Sequence, residues 1–81
     1  MHELSLAQGL LSQLQELAKE HGAETILTAR VSIGVHSGIV VDSFVFGFNA
    51  IKTTLALSRD AVLEISEVEG SDLVLMQVEM E

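Results

Sequence analysis

The apolar residues change their spacing at Gly22, and that change constrains the fold more than any other feature. Before it, Ala7, Leu10, Leu11, Leu14, Leu17 and Ala18 recur at helical intervals, with Gln13, Gln15, Glu16, Lys19 and Glu20 on the wet side. After it, Leu27, Ala29, Val31, Ile33 and Val35 fall on one face, and Thr28, Arg30, Ser32 and His36 on the other. That period of two marks a strand with one buried side. Ser5-Leu6-Ala7-Gln8 has the Ser-x-x-Gln form of a capping box, and Gly22 suits a helix C-terminus. The spacing predicts a helix over 5–21, with residues 1–4 as a short arm in front of it.

Ser37-Gly38 ends the strand, and Asp42 or Ser43 is placed to cap a second helix. Its stripe is Phe44, Phe48, Ile51 and Leu55, with Val45 beside it. The three phenylalanines, Phe44, Phe46 and Phe48, are the only aromatics and are assigned to the core. Gly47 inside this helix costs about 1 kcal/mol relative to alanine, which points to close packing against a neighbour. Past Ser58-Arg59-Asp60, VLEISEV puts Leu63 and Ile65 on one face. LVLMQVEM puts Val74, Met76, Val78 and Met80 together, with Leu73 and Leu75 opposite, and Glu69-Gly70-Ser71-Asp72 reads as a hairpin turn. The order is helix, strand, helix, strand, strand. Its economical packing is an α/β two-layer sandwich, with two helices on one face of a small three-stranded sheet. The 81 residues form one domain, 1–81, without repeats or a linker.

Composition removes several function classes. Twelve acidic residues against four cations leave a net charge of −8, too little positive charge to track a phosphate backbone, so no nucleic acid is expected. No apolar run approaches the roughly 18 residues that span a bilayer, and His2 and Glu3 replace the basic start of a signal peptide. The expected compartment is the cytoplasm, with no membrane partner. With no cysteine there is no disulfide, thiolate metal site or cysteine nucleophile. Ser37 and Ser43 lie in no nucleophile elbow, so no enzyme is expected.

Met1-His2-Glu3 has two readings. One is a ragged terminus. The other is a chelate: the α-amine and His2 amide nitrogen close a five-membered ring on a metal, the same amide and imidazole Nδ1 close a six-membered ring, and the Glu3 amide follows. A planar, nitrogen-rich set suits Ni(II) or Cu(II) better than tetrahedral Zn(II). It needs a free amine and loses amide protons, so affinity falls with pH. His21 reads as a helix C-terminal residue on the dipole. His36 reads as a polar-face or loop residue, or as a further ligand if the arm folds over the strand end.

The succession MHELSLAQ, VSIGVHSGI, SFVFGFNAIKTTLA, AVLEISEVE and GSDLVLMQVEME resembles the HypA/HybF family of nickel metallochaperones of hydrogenase maturation. The likeness covers almost the whole chain. It implies the same helix–strand–helix–strand–strand domain, and a nickel site built on Met1, His2 and Glu3. His2 would be the ligand side chain, Met1 and the backbone would give nitrogen donors, and Glu3 would support or share the site. The family inserts a zinc domain with paired CxxC motifs between the last two strands. Here that place holds only residues 69–72 and the chain has no cysteine, so no zinc is expected. Val35-His36 and Thr53 also depart from the family's usual acidic-aliphatic pair and glycine.

The resemblance implies a chaperone that carries Ni(II) to a nickel enzyme. Its partners would be a nickel-inserting GTPase and a hydrogenase large subunit, or urease components. The alternative is an interaction module that keeps the fold without metal delivery and forms a homodimer through an edge strand.

Overall fold

A computed structural model describes residues 2–81. Helix α1 spans His2–His21, strand β1 Ile26–Gly34 and helix α2 Val41–Ile51. A single 3-10 turn, Lys52–Thr54, follows α2, and the chain closes with β2 Val62–Val68 and β3 Leu73–Met80. Element order and layers are those the hydrophobic pattern requires: two helices over a three-stranded sheet.

The arm does not exist as a separate segment over the residues described. His2, Glu3 and Leu4 are already helical, so Ser5 lies inside α1 rather than at its cap. Met1 lies outside the described residues. The early start has a tertiary cause: Glu3 is held against the second helix, and Leu4 lies beside Gly47. The other end follows expectation. Gly22 takes a positive φ of 64°, its N–H reaches Lys19 O at 3.3 Å, and Ala23 N–H reaches Ala18 O at 2.8 Å. These two bonds form the Schellman stop.

The sheet corrects the hairpin. Its strand order is β2-β1-β3, with β1 parallel to β2 and antiparallel to β3. Both later strands therefore flank β1 and neither bonds the other. Residues 69–72 straddle the end of β1, where Gly34 N–H reaches Asp72 O, Val35 N–H reaches Val68 O and His36 N–H reaches Gly70 O, at 2.8–2.9 Å. A short link between neighbouring β runs suits a hairpin locally, but β1 offers both of its edges, one to β2 and the other to β3.

Two bulges change which side chains face the helices. Leu27 is an extra residue in β1 against Glu79 and Met80, and Met76 an extra residue in β3 against Arg30 and Val31. Strict alternation therefore fails at both. Ile26, not Leu27, is buried, and Leu73, Leu75, Val78 and Met80 turn inward while Val74 and Met76 stay exposed. The core joins Ala7, Leu10, Leu14 and Ala18 of α1 to Ala29, Val31 and Ile33 of β1 and Phe44 and Phe48 of α2. Phe46 departs from the aromatic core: it is 77% exposed. It follows Phe44 by two residues, about 200° around the helix, so the stripe that buries Phe44 and Phe48 turns it outward.

The outer face of the sheet carries a polar cluster among exposed apolar residues such as Val62 and Val74. Arg30 reaches Glu64 through Nε and Gln77 through Nη1, both at 2.7 Å, with Glu79 at 3.8 Å.

Candidate metal centre

His2 is exposed in the first turn of α1. The first N–H groups of any α-helix lack an intrahelical acceptor, so the His2 and Glu3 amides start outside the ladder. Glu3 is different from His2: it is 9% exposed and its carboxylate is engaged. Its Oε2 accepts the Val40 N–H at 3.2 Å, joining the start of α1 to the start of α2. This bond first, and one from its own amide second, hold the Glu3 carboxyl below the usual carboxylate range.

The second helix begins without the cap expected of it. Asp42 and Ser43 lie within α2, and its N-cap residue is Val40, which has no side-chain cap. Glu3 supplies from another helix the carboxylate that a capping box supplies from the third helical position.

The remaining histidines do not converge on His2. His21 sits at the far end of α1, about 28 Å away at 1.5 Å per residue. His36 follows β1 and lies 3.7 Å from Glu69, with both side chains largely exposed. Among the described residues, no three His, Asp or Glu side chains gather as a metal cluster. A donor set at the start of α1 would thus combine His2 with backbone nitrogen.

A cleft of about 440 Å³ runs between α1 and α2, lined by Glu3 and Leu4 of the first helix and by Asp42, Phe46, Gly47 and Ala50 of the second. Sequence reasoning missed it because Phe46 was grouped with its two neighbours.

The family model described as "Hydrogenase/urease nickel incorporation, metallochaperone, hypA" matches residues 1–73. The chain belongs to the HypA family. A hydrogenase maturation factor HypA from Aquifex aeolicus is 34% identical over 70 residues, covering 85% of this chain and 61% of that protein. One from Alkalilimnicola ehrlichii is 36% identical over 76 residues, covering 93% and 66%. The chain spans about three fifths of the length of the first curated relatives it matches. The solution structure of the Ni metallochaperone HypA from Helicobacter pylori superposes with a TM-score of 0.78 at 21% identity, over 98% of this chain and 86% of that one. Another solution structure of a HypA protein gives 0.85 at 22%, over 100% and 97%. These two likenesses establish the fold. No helix among the described residues is long and apolar enough to cross a membrane.

Proposed function

We propose that this HypA-family chain carries Ni(II), as cargo, on the nitrogen donors of Met1, His2 and Glu3, and releases it to a nickel enzyme under assembly. The observation that carries the reading is His2: a family-typical Met-His-Glu start places it exposed on the first helical turn. There the backbone amides have no helical partner. Glu3 acts mainly by anchoring that turn to Val40, with its amide as the further nitrogen. The acceptors would be a nickel-inserting GTPase and a hydrogenase large subunit or urease components, in the cytoplasm. By the same resemblance residues 1–81 form a single nickel-binding domain, and the 69–72 link stands where relatives insert their zinc domain. With no cysteine in the chain, thiolate zinc ligation has no donors.

Binding demands a local rearrangement. The five-membered ring that would join the His2 and Glu3 amide nitrogens needs them nearly eclipsed about the His2 Cα–C bond, away from the helical ψ of about −42°. Nickel loading thus competes with the first turn of α1, and unwinding only that turn leaves the core untouched.

A second reading rests on β3. It is an edge strand with Val74 45% and Met76 65% exposed and carries no lysine, arginine or proline. A homodimer paired along that edge is the competing role.

The deciding experiment is a Ni(II) titration by calorimetry and visible absorption. It compares the protein with a free Met1 amine, the same protein extended by one residue before Met1, and His2→Ala. About one equivalent with a planar Ni(II) band, lost in both variants, is the expected result. Equal weak binding by all three refutes nickel carriage through Met-His-Glu.

A further inference from the structure

We infer that the cleft between α1 and α2 is a docking groove for a basic amphipathic helix of a partner protein. The inference extends beyond nickel and does not depend on His2 binding a metal.

Phe46 is 77% exposed, and Leu4, on the facing helix, is 38% exposed. An aromatic left in water beside another apolar side chain marks an interaction surface rather than a scattered exposure. Gly47 and Ala50, with no side chain or only a methyl group, leave the 440 Å³ cleft open between Leu4 and Phe46 for apolar anchors. One helix presenting side chains at i and i+3 or i+4 fits such a trough.

Charge selects the occupant. No lysine or arginine lines the cleft; of its two acidic lining residues, Glu3 is engaged by the Val40 N–H and Asp42 makes no ion pair among the described residues. The chain carries −8 overall, so a second copy or an anionic lipid surface meets repulsion there. A partner helix that adds a lysine or arginine beside its apolar anchors meets attraction at Asp42.

The test uses metal-free protein and two synthetic helices: leucine at helical spacing with lysine elsewhere, and the same pattern with glutamate. Amide NMR follows each titration. The lysine helix is expected to bind saturably, with shifts concentrated on Leu4, Asp42, Phe46 and Ala50. Phe46→Ser and Asp42→Lys should each weaken it about tenfold, and the glutamate helix should not bind. Because Phe46 is exposed, an unchanged Tm in Phe46→Ser separates lost binding from lost folding. No binding, or shifts spread over all acidic surfaces with Phe46→Ser binding as well as the parent, overturns the inference. So does a concentration-dependent dimer that Phe46→Ser abolishes, since a second copy then fills the groove.

Discussion

The Glu3 carboxylate accepts the Val40 N–H across 3.2 Å, so the first turn of one helix caps the start of the other. That bond ties the candidate metal site to the fold. Its carboxyl is held below the ordinary range by the Val40 N–H first, so folding favours the charged form. The linkage sign follows. An unfolded glutamate titrates near about pH 4.3, and the stabilisation is present above that value. It is lost as the pH falls through the lower folded-state value. Glu3→Gln keeps the shape and removes the charge. Its Tm should lie below the parent's at neutral pH, and the gap should close in acid below about pH 4. A gap that stays constant across thermal melts from neutral to acid would rule out the charged cap.

Two buried glycines should respond to alanine with opposite signs. A Cβ on Gly34 would overlap the Gly70 carbonyl and come within 2.6 Å of Ser71 N. Those atoms are backbone of the 69–72 link and have no rotamer to change. Gly34→Ala should cost about 1–3 kcal/mol as that link is pushed off the end of β1. A Cβ on Gly47 meets Leu4 Cδ1 at 3.6 Å and the Ala7 Cβ at 3.7 Å, ordinary contact distances. Gly47→Ala should instead stabilise α2 by about 1 kcal/mol. Urea denaturation of both variants reads the two signs directly.

The phenylalanines divide in the same way. Phe48 is fully buried and Phe46 is 77% exposed on the same helix. Phe48→Ala should cost about 3–5 kcal/mol, while Phe46→Ala should stay within about 0.5 kcal/mol. Chemical denaturation separates them, and comparable losses would put Phe46 back in the core.

Local pattern made the element order and most of the core legible, because period 3.6 and period 2 are backbone properties that side chains must follow. The helical stripe through Leu10 and Leu14 and the Schellman stop at Gly22 both formed as the spacing requires. What the pattern missed depends on contacts distant in sequence. Leu27 and Met76 are bulges in the pairing of β1 with β3, and that register belongs to two strands distant in sequence, which neither strand alone encodes. The hairpin gave way to a β2-β1-β3 sheet because β1, more than 25 residues earlier in the chain, pairs with both later strands. At the site, His2 was named from the Met1-His2-Glu3 start together with the family resemblance of the whole chain. The anchoring of Glu3 by Val40, 37 positions away, had no local sign.

Nickel binding should be visible at Val40, a residue that no donor set includes. Planar chelation would recruit the Glu3 amide, whose N–H also supports the Glu3 carboxylate. Removing that proton and turning the first residues out of helical geometry must shift the carboxylate that holds Val40. Planar Ni(II) is diamagnetic, so amide NMR remains readable on loading. Saturating nickel should erase the His2 and Glu3 amide signals, whose protons are released, and move those of Leu4 and Val40, leaving Leu14 and Phe48 in place. The response should fade as the pH is lowered, because loading releases amide protons. It should be missing in His2→Ala. Shifts centred on His36 and Glu69 instead would relocate the metal to the pair at the end of β1 and remove the start of α1 from the mechanism.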